Sequence, residues 1–382
     1  SGITTSNKTY DGNSVATLNT SSVAYSGLVS GDTFNGTYTG AFSDKNVGTG
    51  KTVTITPSYS GADVSNYSVT NHADLTANIT VRSLTVSGVA ASDKTYDGSV
   101  TATMDSSSAV YSGFVSGDDF AASYSGVFAN ANVGSGKTVT ITSSYAGADV
   151  SNYNVTDQTS TTANISAKAL TATASASNKV YDGSSAATST LTLSGFVGSE
   201  TVTSTNSSTF NNKNAGTGKT VTVNSITLAD GTNGGLAANY SISTGQSTTA
   251  NVTAKALTVS GITASNKVYD STTNATTTLS LSGLVGSETI NNTNSSTFDN
   301  KNIGTGKTVT VNSLTLVDGN NGGLASNYSI SAGQTTTANV SARPLTVSNI
   351  SASNKSYDGT TAVTLDTSNV SYNGLVSGDD FS

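Results

Sequence analysis

The residues with the most chemistry in them recur as a set. A lysine, a tyrosine and an aspartate return in the pattern S-N/D-K-x-Y-D-G/S: Lys8, Tyr10 and Asp11; Lys94, Tyr96 and Asp97; Lys179, Tyr181 and Asp182; Lys267, Tyr269 and Asp270; Lys355, Tyr357 and Asp358. Successive tyrosines lie 86, 85, 88 and 88 residues apart. One reading is covalent. A buried lysine beside an asparagine and an acid can form an isopeptide bond, and Lys8, Asp11 and Asn78 or Asn66 supply those types once per repeat. The other reading is structural. Asp-Gly is a turn former because glycine accepts positive φ without penalty. The tyrosine would bury its ring and give its hydroxyl a partner. The lysine and aspartate would pair near the surface, where a pair is worth little. Five copies argue against a unique catalytic site, and Ser271 in place of the fourth glycine shows that this glycine is dispensable.

A second lysine sits in G-x-G-K-T-V-T at 48–54, 134–140, 216–222 and 304–310. A P-loop needs glycine five residues before the G of G-K, where this chain has Lys45, Ala131, Lys213 and Lys301, and it must open a helix. The T-V-T-I and T-V-T-V that follow alternate as strands do. The motif therefore reads as a glycine turn feeding a strand. Oxygen-rich loops at Asp118 and Asp119, at Asp230 and Asn233, and at Asp318 and Asn321 are the Ca²⁺ candidates. None has EF-hand spacing, so plain polar turns are the main reading and weak Ca²⁺ binding the alternative. No other cofactor is expected. One histidine, His72, and no cysteine leave no recurring nucleophile–base set and no thiolate metal site, so an enzyme is not expected.

The elements that position these residues follow from the repeat. G-L/F-V motifs stand at 27–31, 113–117, 195–199, 283–287 and 374–378; N-Y at 66–67, 152–153, 239–240 and 327–328; and T-A-N closes each unit. The boundaries read as 1–82, lacking its first strand, then 83–167, 168–254, 255–342 and a partial fifth repeat at 343–382. Each full repeat has the length of an independent domain. Val, Thr, Ile and Tyr alternate in short runs between Gly, Asn, Asp and Ser clusters, which is strand and turn chemistry. In the second repeat, strands are expected near 84–89, 108–115, 120–128, 137–145, 152–157 and 161–167. The fold class is all-β: small antiparallel Ig-like sandwiches in tandem, with a β-grasp-like unit as the alternative. At the joint N-I-T-V-R-S-L-T-V, apolar residues shift from odd to even positions at Arg82-Ser83, with Val81 facing inward. One residue of phase turns the buried face over. Short joints without linkers predict an extended rod of roughly 30–45 Å per repeat.

Composition narrows the partners. The 382 residues carry a net charge of −7 with 10% charged residues. An acidic chain with no basic stripe is not built for nucleic acid. The absence of cysteine leans towards a bacterial exported protein, because small secreted eukaryotic modules usually carry disulfides. No apolar run reaches the length of a membrane span, so no membrane insertion is expected in this segment. No signal peptide opens the chain, and residue 1 begins in mid-pattern, as in a segment of something longer.

Together, K-x-Y-D-G, G-L-V-x-G-D, N-V-G-T-G-K-T-V-T, N-Y and T-A-N-I-x-x-x-L-T-V resemble the YDG-type and MBG-type repeat domains. Those occur in filamentous-haemagglutinin-like adhesins of two-partner secretion systems, and the resemblance spans essentially the whole chain. It implies an extracellular or cell-surface protein whose repeats form a stalk or fibre that projects or links cells, with no catalytic residues to carry over. Its expected partners are neighbouring repeats, other copies, glycans, or host and matrix surfaces. Repeated low-affinity glycan or surface binding, or fibre assembly by strand exchange, are the alternatives.

Overall fold

A computed structural model describes residues 1–380; residues 381 and 382 lie outside it. Strands hold 52% of the chain and helix 3%. That helix is short 3₁₀ turns, such as Val64–Asn66 and Val150–Asn152, one before each N-Y tyrosine. Without a longer helix among the described residues, the β-grasp alternative falls and the all-β class stands.

The chain forms two compact units. The first holds 1–170 with 195–203 and 229–241. The second holds 171–194, 204–228 and 242–382.

In the first unit the second repeat shows the plan. A five-stranded sheet runs in the order Lys94–Thr95, Ser160–Ser166, Gly134–Ala146, Ala121–Phe128 and Thr101–Ala102. Phe128, Val139, Ile141, Ala163 and Ile165 face inward, while the intervening threonines face solvent. Both edges of this sheet are two residues long, which leaves little ladder open to foreign strands. A smaller sheet places Arg82–Ser87 between Val110–Ser112 and Tyr153–Thr156. The first repeat carries the same five-stranded sheet, and the second unit carries two more, built on Lys179–Val180 and Lys267–Val268.

All six strands expected in the second repeat are present. Their pairing differs from expectation in two places. Lys94–Thr95 runs parallel to Ile165–Ser166, and Tyr153–Thr156 runs parallel to Arg82–Thr85. Parallel neighbours need a long connection, and each of these pairs encloses most of a repeat.

The phase break at the joint is real but lies earlier. Ala77 and Ile79 are buried, then Leu84 and Val86, while Val81 is 47% exposed. The chain turns its face over at Thr80-Val81, because Arg82 already belongs to the next strand.

This reversal decides where the core sits. Tyr10, Phe42, Val53 and Ile79 of the first repeat cluster with Leu84 and Tyr153 of the second. In the second unit, Tyr181, Phe210, Val221 and Val252 likewise cluster with Leu257 and Tyr328 of the following repeat. In these two clusters the core of one repeat is completed by a leucine and a tyrosine of the repeat that follows.

Candidate functional site

The recurring lysine closes the turn of its own motif. Lys8 Nζ donates to Asp11 Oδ1 at 2.7 Å, to the Asn13 carbonyl at 2.7 Å and to the Val15 carbonyl at 3.1 Å. Lys94 repeats this with Asp97, Ser99 and Thr101, Lys179 with Asp182, Ser184 and Ala186, Lys267 with Asp270, Thr272 and Asn274, and Lys355 with Asp358, Thr360 and Ala362. The ammonium of Lys8 also lies 5.6 Å from the Phe42 ring centroid, within cation–π reach. In return Asp270 is held down at about 2, first by the Lys267 ammonium and then by the Thr272 N–H.

The asparagines of the isopeptide reading are used elsewhere. Asn78 Oδ1 accepts the Gly50 N–H at 2.7 Å, and Asn66 is exposed. The lysine is an ion-paired clip, and the geometry brings neither asparagine to it. The G-x-G-K segment is a glycine turn as expected. The ladder shifts register between Gly48 and Lys51, Gly50 has φ +61°, and Lys51 reaches back to Asp44 at 2.7 Å.

The tyrosine of the motif leaves its own repeat. Tyr10 Oη donates to Asp118 Oδ1 of the second repeat at 2.8 Å, and Tyr153 Oη donates to Asp118 Oδ2 at 2.5 Å. The two rings meet edge to face, 5.6 Å apart. Lys45 pairs with Asp118 at 3.0 Å and with Asp149 at 2.9 Å. Asn152 Oδ1 accepts the Val47 N–H at 2.9 Å. The socket is thus one carboxylate shared by two phenols from successive repeats, with a lysine and an asparagine beside it.

The same socket recurs with Tyr96, Glu200 and Tyr240, where oxygen separations are 2.8 and 2.6 Å. In the second unit it is built from Tyr181, Glu288 and Tyr328 at 2.7 and 2.6 Å, with Lys213 3.0 Å from Glu288. Tyr269 donates to Asp379 at 2.9 Å, which repeats the first of the two phenol contacts. Burial and then the shared carboxylate push Tyr96, Tyr153 and Tyr328 up to about 12, so these phenols stay protonated donors. Burial pushes Glu288 up, but the Tyr328 and Tyr181 hydroxyls and the Lys213 ammonium outweigh it and hold Glu288 below its usual value.

Tyr10, Tyr96 and Tyr181 are 0, 4 and 1% exposed. The Tyr10 ring packs with Phe42, Val53 and Ile79 of its own repeat, and its hydroxyl is met by Asp118 of the following one.

The glycine after the aspartate belongs to the same contact. Gly183 has φ +81°, and a Cβ there would lie 2.7 Å from Val285 Cγ1 of the next repeat. Gly12 meets Val115 and Gly98 meets Val197 in the same way. Ser271 adopts φ +62° at this position, so the conformation alone is tolerable. Gly183→Ala is expected to cost about 2–4 kcal/mol, from the left-handed conformation and overpacking combined. Urea unfolding checks this; an unchanged midpoint would show that the joint at Val285 relaxes freely.

The Ca²⁺ candidates are engaged in turns. Asp119 Oδ2 accepts the Ala148 N–H, Asp230 Oδ1 the Ala237 N–H and Asp318 Oδ1 the Ala325 N–H. Asn233 and Asn321 donate to the carbonyls of Ser199 and Ser287 from positive φ. Asp118 belongs to the tyrosine socket. Among the described residues, no three His, Asp or Glu side chains converge as a metal site would require.

Sequence reasoning missed the socket acid and the role of N-Y. The signal was present. An acid stands five residues after the first glycine of every G-L/F-V motif: Asp32, Asp118, Glu200, Glu288 and Asp379. Its alternation between Asp and Glu hides it from a motif read by residue identity.

Fold and site together define a class: a tandem all-β repeat array whose units are cross-linked by phenol–carboxylate sockets. The YDG domain family matches the chain at 1–77, 80–162, 166–250, 253–338 and 341–382, and the chain belongs to that family as five tandem repeats. No curated protein matches it.

Proposed function

We propose that this array is a structural stalk or fibre segment of a bacterial extracellular adhesin or matrix protein, which projects or links cells and performs no catalysis. The observation that carries this reading is the socket repeated at successive joints. A chain that spends its best-ordered polar chemistry on fixing one repeat to the next is suited to bearing and spacing. The phenols stay protonated, the carboxylate is shared, and no water-activating histidine or convergent metal ligand stands beside them. The cysteine-free, weakly charged, Ser/Thr/Asn-rich composition is compatible with a place outside a bacterial cell. Partners on this reading are neighbouring repeats first, and host or matrix surfaces beyond them. Small-angle scattering on the intact chain is expected to give an elongated particle with a defined cross-section, at roughly 30–45 Å of length per repeat. A compact or freely jointed particle would overturn the proposal.

A further inference from the structure

The lysine of G-x-G-K has neighbours that the turn alone does not require, and they differ from repeat to repeat. In the fourth repeat a hairpin joins Ile290–Phe298 to Gly304–Asp318. Its second strand is bulged between Gly304 and Lys307, with Gly306 at φ +63°. The bulge turns Lys307 back over the loop, where it is 9% exposed. Lys307 Nζ donates to Asn300 Oδ1 at 2.5 Å and lies 3.1 Å from Asp299 Oδ1. Asn300 Oδ1 accepts a second bond, from the Asn302 N–H at 3.0 Å. Asp299 Oδ1 is fixed in turn by the Asn300 N–H at 2.8 Å. A buried amino group, a carboxamide polarised by two donors and a carboxylate therefore meet at one point. Each of the first three repeats lacks one member of this set. Lys51 meets a carboxylate, Asp44, where the amide would be. Lys137 and Lys219 meet the amides of Asn130 and Asn212, but Ala129 and Asn211 stand where the acid would be.

We propose that Lys307 and Asn300 join in an isopeptide bond, formed once by the folded chain on itself with Asp299 as the proton carrier. Asp299 takes a proton from the Lys307 ammonium and leaves an amine with a free electron pair. That pair attacks Asn300 Cγ, and a C–N bond forms. The carbonyl oxygen takes up negative charge, which the Asn302 N–H stabilises. Asp299 then hands its proton to Asn300 Nδ2, the Cγ–Nδ2 bond breaks and ammonia leaves. The new amide nitrogen sheds its extra proton to Asp299, and ammonia carries that proton into solvent as ammonium. Asp299 ends ionised, and no oxidant or co-reactant is consumed. Asn300 is exposed, so the leaving group has a path out. Folding supplies the alignment, because bulge and loop hold nucleophile and carbonyl together before any bond forms. The product closes the 300–307 loop covalently. This inference is independent of whether the array serves as a stalk.

The test is mass spectrometry of the intact, denatured chain. Its mass is expected to fall short of the sequence mass by one ammonia. Trypsin should leave Lys307 uncut and release a branched peptide, in which the piece ending at Lys301 is joined to the piece containing Lys307. This readout needs no variant. Lys307→Arg, Asn300→Ala and Asp299→Asn should each restore the full mass, while circular dichroism remains that of the parent. A parent chain at its full sequence mass would overturn the proposal. So would a deficit that persists in any of the three variants, as it would if the ammonia came from cyclisation at an Asn-Gly pair such as Asn321-Gly322. A branch that maps to Lys137 or Lys219 instead of Lys307 would also overturn it.

Discussion

Tyr181→Ala is expected to destabilise the protein by about 3–5 kcal/mol, the usual cost of removing a large buried aromatic. Tyr181 is 1% exposed, lies edge to face with Tyr328 at 5.5 Å and donates to Glu288. Its removal would leave a cavity between Phe210, Val221 and Leu257, and one carboxylate oxygen would lose its phenol. Tyr181→Phe separates ring from hydroxyl, and should cost about 1.5–3 kcal/mol, as for a hydrogen bond to a charged group. Urea unfolding of the two variants measures this. A loss within about 0.5 kcal/mol for Tyr181→Phe would mean that the hydroxyl does not depend on Glu288, and the socket would lose its claimed role.

Glu288→Ala should cost about 2–4 kcal/mol at neutral pH, because the two phenols that converge on it are then buried without an acceptor. The effect should depend on pH with a definite sign. Burial raises the Glu288 carboxyl, the two phenols and Lys213 lower it further, and the net displacement is downward from an ordinary 4.5. A group depressed on folding stabilises the protein fully above its unfolded value. That contribution is lost as pH falls from about 4.5 through the depressed value. Stability of the parent should therefore decline over that window, and Glu288→Ala should decline less steeply. The clip aspartates also titrate on acidification, Asp270 at about 2, and they leave a common slope in both proteins. Parallel stability–pH curves for parent and variant below 4.5 would show that Glu288 is not held ionised by the socket. Glu200→Ala offers a comparison: the loop position that holds Lys45 and Lys213 elsewhere is Ala131 before that socket. Its carboxylate relies on Tyr96 and Tyr240.

Particular residues show how much of this was legible. The strand pattern of the second repeat was readable because inward Val139 and Ile141 alternate with outward threonines, and period two is a local property. Lys8 with Asp11 was readable because three residues separate them across a turn. The reversal of buried face was visible too, and it was displaced only because Val81, though apolar, lies on the exposed side of the joint. The parallel pairing of Lys94–Thr95 with Ile165–Ser166 was not visible, since nothing in either segment specifies a partner some seventy residues away. Nor was the partnership of Tyr10 with Asp118. Their types suit each other, but so do those of many tyrosines and acids in the chain.

The sequence alone therefore determined the repeat, its all-β character, the turn at K-x-Y-D-G and the absence of a P-loop at G-K-T, because each rests on spacing within a few residues or on copies of one pattern. Only the tertiary structure decided what the tyrosine is for. The buried face turns over between Ile79 and Leu84, so the sheet of one repeat is closed by the first strand of the next. A phenol on that face can find its carboxylate only across the joint. Tyr10 and Tyr96 carry the same motif, and each finds its acid, Asp118 or Glu200, in the repeat that follows.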